Sequence, residues 1–388
     1  MNREDEVLII TTILDRYARH ESLKVGDVHR TPVEVYTSPA VLADERDALF
    51  SLLPQYVGLG IDLPAPGSFL TRSDLAVPTV LTRDANGTAR AFVNVCRHRG
   101  AQVVSGRGEG RRLTCPYHSW SYGLDGSLLA MPDPASFPGV DPALCGLAEL
   151  PLREQSGVLW LLPNRGPSRF STDSADPVTE HIGPIGTELA GYDLDSYTHW
   201  RCERLELAFN WKLVIETFLE PYHFASLHRT TVGPYFLPNL CWVDGPAPHI
   251  REVLPRRTML ELADKPVDEW KLAPHAAIVY VLFPNTVFVS LMDHLETWRV
   301  YPHPTDPARC VAELDFYRPR VSTRTDEYWE KNWAQTVSTV LTEDFPAMAG
   351  VQRGMASGAN SHFTVGRNEP AVTRFQQGLT RALTANRA

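Results

Sequence analysis

Apolar residues recur at helical spacing over residues 3–19, where Val7, Leu8, Ile10, Leu14 and Tyr17 share a face. From about residue 33 to 165 the pattern changes to short β-rich runs broken by turn signals. Val80-Leu81-Thr82 and Ala91 to Val95 flank Asp84-Ala85-Asn86-Gly87, whose Asn-Gly marks a hairpin. Residues 164–178 are rich in Ser, Asp and Pro and read as a linker. Beyond it, strands are predicted over 278–283, 286–291, 297–301 and 310–316. Two helices accompany them, roughly 209–229 and 325–355, the second with a stripe of Tyr328, Trp329, Trp333, Val337, Val340 and Leu341. The pattern predicts an α+β chain: a small antiparallel β domain followed by a larger domain of antiparallel sheet and helices.

Composition excludes several classes. The 388 residues are 43% hydrophobic and 21% charged, an ordinary globular balance. Lys and Arg number 37 against 46 Asp and Glu, a net charge of −9 that argues against a broad nucleic-acid surface. No apolar run is long enough to span a membrane. The N-terminus lacks the basic start and apolar core of a signal peptide, so a cytoplasmic protein is expected. Of the six cysteines, Cys145, Cys202, Cys241 and Cys310 read as buried free thiols.

The other two cysteines lie in a distinctive arrangement. Cys96-Arg97-His98 is followed, after sixteen residues, by Cys115-Pro116-Tyr117-His118. Two thiolates and two imidazoles suit either tetrahedral zinc or a [2Fe–2S] cluster. Zinc fingers usually pair like residues, whereas here each loop supplies one Cys and one His. That division suits a cluster in which both Cys hold one iron and both His the other.

A second group of donors lies on the helix predicted over 209–229. Helical spacing places Glu216, Glu220 and His223 on one face. Pro221 predicts a kink or break, and a π-bulge or loosened turn there would bring His228 to the same ion as His223. Two His and one carboxylate leave open positions on an iron. The expected third donor is Asp344, with its neighbour Glu343 as competitor.

Both segments resemble one family. Cys115-Pro-Tyr-His-Ser-Trp-Ser-Tyr-Gly-Leu-Asp-Gly resembles the second cluster loop of Rieske non-heme iron oxygenase α subunits. The Asn210-Trp211-Lys212 start and the carboxylate-x-x-His-x-x-x-x-His run resemble their iron motif. The resemblance implies an N-terminal helical segment at 1–35 packing on the catalytic domain, a Rieske domain at 36–165 and a catalytic domain of the helix-grip (START-like) type at 166–388. It implies that Cys96, His98, Cys115 and His118 hold a [2Fe–2S] cluster. His223, His228 and Asp344 would then hold a mononuclear Fe(II).

It further implies a homotrimer, in which Glu220 links His223 to His118 of a neighbouring subunit. Most members carry Asp at this place; Glu resembles the subset acting on carnitine, glycine betaine and related quaternary amines. Glu216 and Thr217 would face the iron cavity, with Glu216 assigned a catalytic part. Trp200, Trp211, Tyr235, Phe236 and Trp242 are candidates for an aromatic cage around an ammonium group. His249 reads as a capping or core residue, with the cavity as the alternative. No GxGxxG and no four-Cys ferredoxin run is present, so electrons from NAD(P)H must come through a separate reductase, with or without a ferredoxin. The implied reaction uses O2 to hydroxylate or oxidatively demethylate a small organic substrate. Alternatives are cis-dihydroxylation of an arene, as in aromatic hydrocarbon catabolism, a Rieske electron carrier without oxygenase activity, and a zinc-stapled binding module.

Overall fold

The computed structural model describes residues 1–162 and 177–387. Most of the predicted linker, residues 164–176, lies outside the described residues; Pro177 already opens the helix Pro177–Ala190. The chain forms two compact units, Phe50–Asp195, and Met1–Leu49 with Ser196–Ala388. Among the described residues no helix is long and apolar enough to cross a membrane.

The unit Phe50–Asp195 is antiparallel β. Its five-stranded sheet runs in the order Glu149–Leu150, Ala89–Val93, Thr79–Arg83, Ser68–Arg72 and Arg107–Glu109. The predicted hairpin is the pairing of Thr79–Arg83 with Ala89–Val93. Gly87 turns it with φ +80°, a left-handed value that costs glycine little. Asp84 accepts hydrogen bonds from the backbone N–H groups of Asn86 and Thr88, fixing the turn. One hydrophobic core joins Val80, Phe92, Leu113 and Tyr122 to Cys96 and Cys115, so both thiols sit inside the packed interior.

The other unit is built on a seven-stranded antiparallel sheet. Its order is Tyr197–Leu207, Cys310–Pro319, Leu295–Pro302, Thr286–Ser290, Ala276–Leu282, Ile250–Pro255 and Trp242–Asp244. Helix Trp211–Thr217 packs on the strands Leu295–Pro302 and Cys310–Pro319, and helix Pro370–Arg387 on Ile250–Pro255. Helix and sheet together match the α+β helix-grip expectation. The N-terminal helix Arg3–Ala18 docks in the same unit, where the Leu272 N–H donates to Glu6 Oε1 at 2.6 Å.

Two boundaries differ from expectation. The stretch up to Asp195, which includes helix Pro177–Ala190 and was expected in the catalytic domain, belongs to the smaller unit. Residues 36–49, read as the start of the small domain, belong to the larger unit. Glu45 explains why: it forms a buried ion pair with Lys212 Nζ (2.6 Å) and accepts Trp211 Nε1–H (2.9 Å). Asn210 caps the same helix through Lys212 N–H and donates to the carbonyls of Tyr36 and Pro307. Its own N–H donates to Gln352 Oε1 at 2.9 Å. The Asn-Trp-Lys motif is thus an anchor for the helix that precedes the histidines.

The two long predicted helices are both interrupted. The first is helical only over Trp211–Thr217; Pro221 then precedes a 3₁₀ turn, Tyr222–Ala225. Glu216, Glu220 and His223 therefore do not share a helix face. The second runs Asp326–Thr339, widens to a π-turn at Val340–Asp344, and resumes over Phe345–Ala356. The π-turn expected near Pro221 is found here instead. Pro346 stands at the start of the resumed helix, where its missing N–H interrupts least.

Candidate active site

The first candidate site is a pair of matched loops. After strand Ala89–Val93 the chain turns at Cys96, with Gly100 N–H donating to the Cys96 carbonyl and Cys96 N–H to Ala101. Between Leu113–Thr114 and Ser121–Tyr122 the same bonds recur: Ser119 N–H to the Cys115 carbonyl, and Cys115 N–H to Trp120. Gly100 (φ +75°) and Ser119 (φ +60°) occupy equivalent left-handed positions, a conformation a serine adopts only against a steric cost. Asn94 braces the first loop, donating to the Val104 carbonyl and accepting from Val103 and Val104 N–H.

These turns bury both thiols and leave the imidazoles at the rim. The His98 and His118 rings lie 4.6 Å apart, and His98 stacks on Trp120 at 5.1 Å. Tyr122 OH lies 3.2 Å from Cys96 Sγ and accepts the Arg97 N–H at 3.0 Å. Arg97 and Arg99 are exposed; Arg99 reaches over the Tyr117 ring. His98 Nδ1 is buried without a hydrogen-bond partner, a lone pair or proton that awaits a ligand. Among the described residues, one group brings three metal-donor atoms within 4.8 Å, and it is not this one. One Cys and one His from each loop is the donor set of a two-iron unit in which the thiolates hold one iron and the imidazoles the other.

The compact group is His223, His228 and Asp344. The 3₁₀ turn that follows Pro221 swings the two imidazoles together, with their Nε2 atoms 3.1 Å apart. The π-turn brings Asp344 Oδ1 to 3.1 Å from His228 Nε2 and 3.5 Å from His223 Nε2. That oxygen is buried and makes no hydrogen bond in this geometry. Each imidazole is held from behind. Glu220 accepts His223 Nδ1–H and, through Oε2, the His223 backbone N–H at 3.0 Å. Glu343 accepts His228 Nδ1–H and Thr231 Oγ1–H, the latter at 2.8 Å. With both Nδ1 protons committed to carboxylates, both Nε2 lone pairs converge beside an orphaned carboxylate oxygen. That donor set fits a divalent cation with room for further ligands.

A cavity of about 280 Å³ opens from this group. One wall is a single face of the sheet, read at period two: Leu254 and Arg256, Ala277 and Val279, Val289 and Leu291, His294 and Glu296. The opposite wall is one helix face: Tyr328, Asn332, Gln335, Thr336, Thr339 and Asp344. Phe224 and Phe236 close the sides. A second recess exposes the outer side of the group, lined by Glu220, His223, Ser226 and Asp344 among others.

Several expected residues fall elsewhere. Thr217 lines the cavity, but Glu216, one position back on the helix, does not. Glu216 accepts the Tyr36 hydroxyl at 2.8 Å and the Gln376 side-chain N–H. Burial pushes its pKa up to about 7 against the opposing hydrogen bonds from Tyr36 and Gln376. It is an internal strut, not a group that touches substrate. Of the proposed aromatic cage only Tyr235 and Phe236 line the cavity. Trp211 is tied to Glu45, Trp242 to Asp244, and Trp200 lies under the Arg318 guanidinium at 3.6 Å. His249 Nδ1 accepts Phe283 N–H in the core and is not a cavity residue. Cys202 is exposed and Cys145 only half-buried, contrary to expectation, while Cys241 and Cys310 are buried.

Sequence reasoning missed the polar side of the cavity, formed by Arg256, Asp293, His294 and Glu296. The signal was Asp293-His294-Leu295-Glu296, a cluster of ionisable groups placed inside an otherwise apolar strand.

Residues 55–150 match the Rieske [2Fe-2S] domain family, and residues 194–385 match the ring hydroxylating alpha subunit (catalytic domain) family. Choline monooxygenase, chloroplastic, of Spinacia oleracea is 27% identical over 343 residues, which cover 86% of this chain and 73% of that protein. A quaternary ammonium Rieske monooxygenase, whose structure bears on carnitine oxidation by gut microbiota and inter-subunit electron transfer, superimposes with a TM-score of 0.76. It is 20% identical, with 93% of this chain and 99% of that one covered. Naphthalene 1,2-dioxygenase from Rhodococcus sp. bound to indole gives a TM-score of 0.73 at 17% identity, covering 98% of both chains. The two domains imply a Rieske cluster and a mononuclear iron. The chain therefore belongs to the Rieske non-heme iron oxygenases, as an α subunit that joins a [2Fe–2S] domain to a ring-hydroxylating catalytic domain.

Proposed function

We propose that this chain is the terminal oxygenase of a multicomponent system that hydroxylates or oxidatively demethylates a small organic substrate. In this reading Cys96, His98, Cys115 and His118 hold the cluster, and His223, His228 and Asp344 hold the iron. The observation that carries it is the convergence of His223 Nε2, His228 Nε2 and the orphaned Asp344 Oδ1 at one end of a closed-sided cavity. Bound there, iron supplies O2 activation, with single electrons delivered from the cluster.

The chain's own residues set the conditions for that chemistry. Glu220 and Glu343 fix both imidazole tautomers and strengthen their Nε2 donors. Phe218, Phe224, Val279 and Val289 exclude water from the volume beside the iron ligands. The cavity volume suits a substrate of small-metabolite size. Its charged side, with Arg256, Asp293, His294 and Glu296, suits a polar substrate better than an arene hydrocarbon and so favours hydroxylation or demethylation over cis-dihydroxylation. Choline monooxygenase and the quaternary ammonium monooxygenase are consistent with a small amine derivative as substrate.

Electrons come from NAD(P)H through a separate reductase, with or without a ferredoxin. A homotrimer passes them from His118 of one subunit to Glu220 and His223 of the next. Support for that route is the partial exposure of Glu220 and His223 in the outer recess, and the inter-subunit transfer described for the related structure. The cell compartment in this reading is the cytoplasm. Reconstitution with a Rieske-oxygenase reductase, NADH and a panel of small amines and acids tests the proposal. Coupled consumption of O2 and substrate is expected, with none from the isolated chain and NADH. Turnover without a reductase, or electron uptake with no O2 consumed, contradicts it.

A further inference from the structure

Three residues that line the cavity each carry a buried polar atom without a hydrogen-bond partner: Asp344 Oδ1, His294 Nε2 and Arg256 Nε. Buried polar groups are otherwise almost always satisfied, so each states what kind of group is missing beside it. The Asp344 oxygen faces the iron position. The other two are nitrogens, and they share one neighbourhood around Asp293.

The carboxylates on that side are already committed. Asp293 accepts His294 Nδ1 (2.8 Å) through Oδ1 and the Tyr328 hydroxyl through Oδ2. Glu296 accepts Thr336 Oγ1–H (2.7 Å) through Oε1 and Trp298 Nε1–H (3.2 Å) through Oε2. Thus the acceptors are satisfied and the nitrogens are not. The Arg256 guanidinium, over the Phe236 ring at 5.3 Å, makes no side-chain hydrogen bond or ion pair among the described residues. His294 Nε2 lies 3.4 Å from Glu296 Oε1, close enough to feel its charge without a hydrogen bond.

We propose that Arg256 and His294 form an acceptor-binding subsite that takes the carboxylate of the substrate, making the substrate a small acid or zwitterion and not a simple cation or diamine. The oxygenase reading is needed only to call this ligand a substrate. Guanidinium and imidazolium donors pair with a carboxylate through charge-assisted bonds, and a buried site strengthens them. Burial opposes the charged form of His294, but the hydrogen bond its Nδ1 makes to Asp293 and the nearby charge of Glu296 prevail and raise its pKa.

Tyr235 and Met292, both more than half exposed, mark the open end. Arg256 and His294 line the same cavity as His223, His228 and Asp344, so a carboxylate held there leaves the remainder of the molecule inside that cavity.

The test is calorimetric titration of the oxidised, iron-loaded protein without reductase, with paired probes that differ at one group: glycine betaine against choline, and benzoate against benzamide. At least one acid is expected to bind at least about tenfold more tightly than its neutral-ended partner. Arg256→Gln and His294→Gln should each remove that preference, while Arg256→Lys retains part of it. Cluster absorbance and iron content serve as checks that the variants fold. Equal binding within both pairs, binding of the neutral-ended probes alone, binding of neither acid, or a preference that survives both substitutions would overturn the subsite. Because no turnover is involved, failure of the oxygenase reading leaves this result standing, and failure here leaves O2 chemistry at the iron untouched.

Discussion

The two histidine sites of this chain are held up by different means. In the cluster loops, backbone turns place Cys96 and Cys115 in the core and leave His118 exposed. Around His223 and His228 the imidazoles are recessed, and carboxylates from Glu220 and Glu343 hold each ring in place. The first arrangement suits a centre that must meet a partner at its histidine edge. The second suits a centre that must present fixed lone pairs inside a shielded cavity and leave positions open for ligands. The difference teaches that one site is specified by local turn geometry and the other by side chains that arrive from across the fold.

The largest expected effect separates the sites outright. His223→Ala should remove the mononuclear iron and reduce reductase-coupled turnover to background, while the cluster's visible spectrum is unchanged; a parallel loss of cluster absorbance would show that the sites are not independent. Glu220→Ala should retain both metals yet slow turnover on the order of 100-fold, because a group that orients a metal-bound His is typically worth 10–100-fold or more. Normal turnover in stopped-flow with pre-reduced cluster would refute the linking part assigned to it. Glu343→Ala should weaken iron binding about 10–100-fold, read by chelator competition, with little change at the cluster.

A pH experiment sharpens the contrast in support. Glu216, deep in the catalytic unit, has its pKa raised from 4.5 to about 7 by burial. The folded chain holds this proton more tightly than the unfolded one, so its stabilising contribution is full below pH 4.5 and drains away as the pH rises to about 7. Glu216→Gln should flatten that decline by on the order of 2 kcal/mol. Thermal melts at pH 5 and 7.5 with identical slopes for both proteins would contradict the assignment. The smallest effect is at the cluster. Tyr122→Phe removes the hydroxyl 3.2 Å from Cys96 Sγ and should lower the cluster potential by tens of millivolts, because hydrogen bonds to sulfur ligands set it. An unchanged potential by protein-film voltammetry would show that Tyr122 only braces the loop.

The same difference decides what was legible in the sequence. Cys96-x-His98 and Cys115-x-x-His118 lie in two short turns, so the spacing itself encodes the geometry. The sheet strands could be read from continuous apolar runs, since both faces of that sheet are covered. The His223, His228 and Asp344 group was legible in its members but not in its means. A proline broke one helix and a π-turn reshaped another, and no helical periodicity shows where a π-turn will fall. Glu216 was misplaced because the expected helix stops at Thr217; one residue of rotation, about 100°, turns it from the cavity to Tyr36 and Gln376. Glu343 is the reverse case. It is adjacent to Asp344, and only the π-turn tells the carboxylate beside the Nε2 atoms from the one behind His228. The Arg256 and His294 wall escaped notice because its members are joined through strand pairing and not through sequence proximity.

The central claim is that one chain carries two separate iron centres, and iron quantification paired with EPR on anaerobically prepared protein tests it most directly. About three irons per chain are expected, of which two disappear with the Rieske signal in Cys115→Ser and one disappears without it in Asp344→Ala. Zinc in place of iron, or an iron count that Asp344→Ala leaves unchanged, would contradict the account.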